Sequence, residues 1–317
     1  MSLTVGRRRT LNPQSEPLNM TVDRCPICNY DRITPVYNFS DFSVLKCLNC
    51  GVSWRSNMYT KETIREMYCK ESYDAHPFFA YNNEHFLESE RHKNFERSLT
   101  LIESLVPKGR LLDVACGSGT FLRVAEQRGW QGTGIELSPA LCQQCASNVQ
   151  SEIINSSFED AKLRDTYDAI TFWDIIEHVL DPCSCVAKAA SLLRPGGIVL
   201  FCTPNEQSLL AKTAKLLYKL SFSRYDYPAL ALHPRYHTFF FAQQAFGNLL
   251  RNYQLQVVHT FSQKAFFEHS PLANGMQKMA IGLIENFASI FDACYEFVVV
   301  ARLEGASDGY VAHPAAK

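Results

Sequence analysis

The chain has 317 residues and a formal net charge of −1, so no global basic field draws it to nucleic acid or to an anionic membrane. Hydrophobic residues make up 46%, ample for a core, and charged residues 20%, ordinary for a soluble protein. No stretch reaches the roughly 18 uninterrupted apolar residues of a membrane helix, and Arg7-Arg8-Arg9 has no apolar segment behind it, so it is not a signal peptide. The expectation is a cytoplasmic protein with one large domain and a small module.

Residues 1–22 are polar and aperiodic and read as a disordered tail. Residues 23–56 read as a self-contained unit. Cys25-Pro26-Ile27-Cys28 and Cys47-Leu48-Asn49-Cys50 stand 18 residues apart, the spacing of a four-thiolate zinc site. Val36–Phe39 and Phe42–Lys46 are the hairpin of a zinc ribbon, too small for a core of its own, so the metal would hold it folded. Few basic residues are interleaved with its aromatics, which favours a structural role over nucleic-acid binding. The other eight of the twelve cysteines, including Cys142/Cys145 and Cys183/Cys185, read as buried thiols.

Residues 57–107 form a helical linker and lid. Lys61–Cys69 is a short helix, and Tyr68, Tyr73, Phe78, Phe79 and Tyr81 crowd a segment broken by Pro77. Asn83 caps a long helix over Glu84–Leu105. The main domain runs over 108–304. Strands are expected at Arg110–Val114, Gly132–Glu136, Glu152–Ile154, Tyr167–Trp173, Ile198–Cys202, Leu255–Phe261 and Tyr295–Leu303. Helices alternate with them: Thr120–Arg128, Pro139–Val149, Cys183–Leu193 and Gln243–Asn252. This alternation gives an α/β, doubly wound, Rossmann-like sheet. Helical insertions at 206–241 and 263–293 exceed a minimal core, and 305–317 frays.

The chemistry centres on Leu111–Leu122. A buried strand ends near Asp113, a turn carries Gly117 and Gly119, and a helix follows. The two glycines let backbone approach a ligand. Glu136, at the tip of the second strand, is placed to hold a ribose diol. A dinucleotide fingerprint would need glycine where Leu122 stands, and no Gly-Lys-Ser/Thr follows, so the ligand is a nucleoside without pyrophosphate. After the fourth strand, Glu177-His178 can take a proton from an acceptor, with Glu177 raising the basicity of His178. His237, in His233-Pro234-Arg235-Tyr236-His237, is the reserve base.

Leu111–Leu122 with Gly132–Pro139 resembles the first two motifs of class I S-adenosylmethionine-dependent methyltransferases. Ala115 stands where their Asp-x-Gly-x-Gly-x-Gly pattern has its first glycine. Leu192–Gly197 is similar to the turn before their fifth strand. The likeness covers about 108–262. With the cysteine pairs ahead of it, the chain resembles the subgroup of sugar C-methyltransferases and enzymes of glycan and natural-product clusters; the core is also similar to ubiquinone-pathway O-methyltransferases. The resemblance implies that S-adenosylmethionine lies against Asp113, Ala115, Cys116, Gly117, Gly119, Glu136, Leu137, Trp173 and Asp174. Its adenine would meet one of Ser157, Phe158 or Glu159. Zinc would be structural, on Cys25, Cys28, Cys47 and Cys50. The expected activity is methyl transfer to a small-molecule acceptor such as a sugar or biosynthetic intermediate. The alternative is an RNA methyltransferase that grips its substrate with the zinc ribbon; net charge and Trp173-Asp174-Ile175, in place of Asn-Pro-Pro-Tyr, stand against it. A non-catalytic binding module is the third reading, opposed by the intact cofactor motifs.

Overall fold

The computed structural model describes residues 23–68, 89–264 and 275–304. The expected tails at 1–22 and 305–317 lie outside these residues, as do Tyr73, Pro77, Phe78, Phe79, Tyr81, Asn83 and the first part of the second insertion.

Seven strands form the main sheet: β4 (Arg110–Val114), β5 (Gln131–Glu136), β6 (Glu152–Asn155), β7 (Tyr167–Trp173), β8 (Leu193–Pro204), β10 (Leu255–Gln263) and β11 (Glu296–Leu303). Their order is β10-β11-β8-β7-β4-β5-β6. From β4 the chain winds outward through β5 to β6, then crosses back to β7 on the other side of β4. A crevice therefore opens at the carboxyl ends of β4 and β7, where such sheets bind ligands. One strand departs from the parallel order of a doubly wound sheet: β11 runs antiparallel to both β8 and β10.

The expected Arg194–Gly197 turn lies within β8. Leu193 pairs with Tyr167 and Ile198 with Ala169, so four residues bulge opposite Asp168. Gly196 takes φ +77°, and a Cβ on Gly197 would press on the carbonyl oxygens of Arg194, Tyr167 and Asp168.

Side chains of β8 alternate between two cores. Val199 and Phe201 face one layer, Ile198, Leu200 and Cys202 the other. The second layer is covered by α2 (Glu90–Leu105) and α3 (Thr120–Gln127). Phe95, Leu99 and Ile102 of α2 recur at helical spacing and are buried. This helix is thus a wall of the core as well as a linker. Its cap is Ser89, whose Oγ accepts from His92 N at 3.2 Å.

The first layer holds the largest departure from the sequence reading. The cysteine-rich segment forms β1 (Ile33–Asn38), β2 (Ser43–Cys47) and β3 (Ser53–Arg55), followed by α1 (Lys61–Tyr68). A fourth strand, β9 (Phe239–Phe240), is supplied by the main domain: Trp54 pairs with Phe239 and Ser53 with Phe240. Cys25, Cys47, Val52 and Trp54 pack into the same core as Phe172, Phe201 and Phe246. The module is not self-contained; its core is borrowed from the sheet. Trp54 is fully buried, so Trp54→Ala should cost about 3–5 kcal/mol. Because the core is shared, calorimetry should show one unfolding transition for the parent rather than two.

Candidate functional site

The turn after β4 is built from left-handed residues: Ala115 at φ +57°, Gly117 at +56° and Gly119 at +82°. Alanine there costs about 1–2 kcal/mol, which the surrounding packing must offset. Glu136 lies beneath this turn. Its Oε2 accepts from Gly117 N at 3.0 Å and its Oε1 from Ser138 N at 2.8 Å. A carboxylate has about four acceptor positions, and these two bonds orient it at the turn. Gly119 also serves packing: a Cβ on it would meet Cys145 Sγ at 2.5 Å. Its openness lets α4 (Pro139–Asn148) pack close.

Where the dinucleotide pattern would have a glycine, Leu122 is fully buried. The room comes from the neighbouring strand. Cβ atoms on Gly132 and Gly134 would fall 3.0 and 2.9 Å from its methyl groups. The glycines have moved from helix to strand, and close contact is kept. Cys116 Sγ fills the remaining space 3.8 Å from Cys145 Sγ.

At the end of β4, Asp113 Oδ1 accepts from Thr171 Oγ1 at 2.8 Å. Burial pushes its carboxyl up to about 7. At the end of β7, the Trp173 ring packs on Phe95 and Phe121, with centroids 4.7 and 5.1 Å apart. Asp174, at φ +54°, pairs with Arg91 of α2 at 3.1 Å. Arg91 had no signal in the sequence; only the seating of α2 across the sheet brings it to this edge. After β6, Phe158 is buried against Phe172, so its side chain serves the core. Lys188 Nζ, on α5 (Pro182–Leu192), holds that loop by donating to the carbonyl oxygens of Phe158, Glu159 and Ala161 at 2.6, 3.1 and 2.8 Å. Ser157 Oγ accepts from Asp160 N at 3.1 Å. Ala115, Cys116, Gly117, Gly119, Glu136, Leu137, Ser157, Glu159 and Asp174 thus stand along one edge of the sheet.

The histidines meet on the β7 side. Backbone N–H groups of Thr238 and Phe239 donate to Glu177 O at 2.8 and 3.0 Å. That draws His237 against His178, with ring centroids 4.6 Å apart. Tyr236 stacks on His178 at 5.6 Å, and Tyr68 meets it edge-on at 6.1 Å. His178 Nδ1 lies 3.2 Å from Tyr236 O. A carbonyl only accepts, so Nδ1 carries the proton and Nε2 presents its lone pair. Glu177 is buried, its Oε2 accepting from Thr203 Oγ1 at 2.8 Å. Its Oε1 has no hydrogen-bond partner among the described residues and lies 3.8 Å from His178 Nε2.

The expected rise in His178 basicity does not occur. Burial holds it down at about 4, and burial with the nearby Asp174 raises the Glu177 carboxyl well above its usual range. Desolvation of both partners outweighs their attraction. Burial, and then His178, also push His237 well below an ordinary histidine.

The cysteine cluster fits a tetrahedral ion. Cys25 and Cys50 Sγ are 3.6 Å apart, as are Cys28 and Cys47 Sγ, and all four lie within 4.8 Å of one another. Zinc–sulfur bonds of about 2.3 Å give tetrahedron edges of about 3.8 Å. Ile27 N and Asn49 N donate to Cys25 Sγ and Cys47 Sγ at 3.4 Å each, which fixes both knuckles. The four thiolates are a site capable of holding a zinc ion. The four cysteines and the Glu177–His178–His237 group share no side chain, so the two clusters are separate.

The sequence profile described as "Methyltransferase domain" matches residues 80–260, more than half of the chain. The fold is that of the class I S-adenosylmethionine-dependent methyltransferases, and the chain belongs to the methyltransferase-domain family. Among individual proteins, the chain is 36% identical over 107 residues to the ubiquinone biosynthesis O-methyltransferase of Xanthomonas campestris, a match covering 32% of this chain and 45% of that protein. The corresponding protein of Coxiella burnetii is 28% identical over 128 residues, covering 38% and 52%. The chain thus spans about half the length of the curated relatives it matches. In structure it is similar to the 1,6-didemethyltoxoflavin-N1-methyltransferase of Burkholderia thailandensis, with a TM-score of 0.51, 11% identity, and coverage of 85% of this chain and 99% of that one. The magnesium protoporphyrin IX methyltransferase of Synechocystis PCC 6803 gives 0.51 at 13% identity, covering 77% and 99%.

The depressed His178 has a consequence for stability. The folded chain excludes its proton between pH 6.5 and 4, so its contribution is complete above 6.5 and is lost as pH falls towards 4. Asp113, held up, acts oppositely: its contribution is present below 3.8 and lost as pH rises through about 7. The informative quantity is therefore a difference. In urea melts, the parent should lose more stability than His178→Gln between pH 6.5 and 4. Equal losses would mean that His178 titrates as an ordinary exposed histidine.

Proposed function

We propose that this chain transfers a methyl group from S-adenosylmethionine to a small-molecule acceptor, a sugar or a biosynthetic intermediate. The observation that carries this reading is one sheet edge bearing two different tools. Over β4 and β5 lies the left-handed turn with Glu136 beneath it. Past β7 lies the enclosed His178–His237 pair. Bound at the first, S-adenosylmethionine supplies an electrophilic sulfonium methyl. Glu136 would hold the ribose hydroxyls, the turn at Gly117 would lie along the cofactor, and Ser157 or Glu159 would border the adenine. Leu137 and Asp174 would flank it.

The second tool handles the proton. His178 is neutral at working pH and its Nε2 lone pair is available. It would accept the acceptor hydroxyl's proton as the new bond to the methyl forms. Glu177 and His237 would orient it and exclude water. The ubiquinone-pathway relatives, O-methyltransferases by name, support an oxygen acceptor for this chain. The RNA reading has less behind it: β3 of the cysteine module is paired on both sides, and Trp54, Cys25 and Cys47 are buried. Zinc would act there as a structural ion, with four thiolates closing its shell.

Calorimetry and turnover test the two halves separately. Glu136→Ala should lose about 1.5–3 kcal/mol of S-adenosylmethionine affinity; unchanged affinity would sink the cofactor assignment. His178→Ala should keep that affinity while methyl transfer falls by about 10²–10⁴-fold. Full turnover in that variant would make His178 structural. Elemental analysis should find about one zinc per chain, and Cys25→Ser should remove it.

A further inference from the structure

The helices that follow β8 and precede β11 present an apolar face to solvent. On α9 (Gly275–Ala288), which follows α7 (Tyr227–Leu232) and α8 (Gln243–Arg251), Met276, Met279, Leu283 and Phe287 recur at three- and four-residue spacing, all more than half exposed. The stripe continues into Ile290, 71% exposed. The opposite side of α9 is also apolar: Ile281 and Ile284 pack on Leu210, Ala211 and Ala214 of α6 (Leu209–Leu220). A helix apolar on both faces belongs under cover. On the neighbouring α6, Leu216 and Leu220 are exposed as well, and Phe222 just after it is 87% exposed. Phe222 sits at φ +53° and Ser223 at +65°, a left-handed pair that holds the bulky ring outward.

Charge distinguishes the occupants. Lys212, Lys215 and Lys219 run along one side of α6, beside the leucines, and Arg224 follows. No carboxylate among the described residues forms an ion pair with any of the four. Burial, then Lys46 and Lys219, hold the Lys215 ammonium below its ordinary range, with Glu206 opposing them. A second copy docked about a two-fold axis would set these cations against themselves. An anionic surface would instead receive them, with lysine stems lying along the apolar plane.

We propose that the α6–α9 face docks on the surface of an anionic lipid bilayer, with the Leu220–Phe222 turn and the outer α9 stripe at the acyl boundary and the α6 lysines on lipid phosphates. The contact is peripheral, since no helix among the described residues is long and apolar enough to cross a membrane. The net charge of −1 does not oppose it, because the cations are concentrated within a Debye length of the apolar stripe. β8 ends at Pro204 and α6 begins at Leu209, so the first turn of α6 follows the carboxyl end of β8.

Co-sedimentation with vesicles tests this without reference to methyl transfer. The full chain should pellet with phosphatidylcholine vesicles that contain phosphatidylglycerol, not with phosphatidylcholine alone, and less as salt rises. Lys212→Gln and Lys219→Gln should each weaken binding about fivefold. The double variant Leu220→Asp/Phe222→Asp should abolish it. All these side chains are exposed, and S-adenosylmethionine calorimetry with circular dichroism checks that the variants fold. No pelleting with either vesicle overturns the proposal. So does pelleting that ignores these substitutions. Light scattering that shows a dimer, made monomeric by Phe222→Asp and never pelleting, would assign the face to a second copy instead.

Discussion

Two backbone hydrogen bonds tie the molecule together. Thr238 N and Phe239 N both donate to the carbonyl of Glu177. On one side of this junction stands the carboxyl end of β7, with Glu177 and His178. On the other, the same segment becomes β9 and closes the sheet of the cysteine module. Arg55 N donates in turn to Thr238 O at 3.0 Å, and its guanidinium reaches Arg235 O. A buried carbonyl that satisfies two donors is costly to release. The histidine pocket and the metal module are therefore parts of one hydrogen-bonded unit.

This explains why a module that looks independent has buried sulfurs. Below about 40 residues a domain rarely has a core of its own. Here two supports act together: the four-thiolate cluster and the phenylalanines of the main domain. His233 adds a third. Its Nε2 lies 2.7 Å from Glu206 Oε1, and Tyr37 of β1 packs on its ring at 4.7 Å. Glu206 holds His233 above an ordinary histidine despite burial, the reverse of His178. The difference is geometry: a 2.7 Å ion pair offsets desolvation, whereas 3.8 Å to an uncharged carboxyl does not.

The cofactor side follows a different constraint, that of volume. The turn, α3 and β5 come close only where side chains yield. Gly119 yields to Cys145, and Gly132 and Gly134 yield to Leu122. A pattern search that expects glycine at one helical position sees a defect. The packing shows the same clearance obtained from the strand opposite.

Local pattern was enough for much of this protein. Apolar runs of strand length, capped helices between them, Gly117 and Gly119 in a short turn, Glu136 one strand on, and two cysteine pairs are all near-neighbour features. Their physics acts over a few residues, so they are legible in order along the chain. Tertiary structure decided the rest. β9 pairs with a strand more than 180 positions away, and two residues of phenylalanine carry no period. Arg91 and Lys188 reach the site only through the seating of their helices. The direction of β11 is seen only in its antiparallel pairing with β8 and β10. The protonation of His178 depends on how completely water is excluded, and desolvation is a property of the packed surroundings rather than of Glu177-His178 as a sequence.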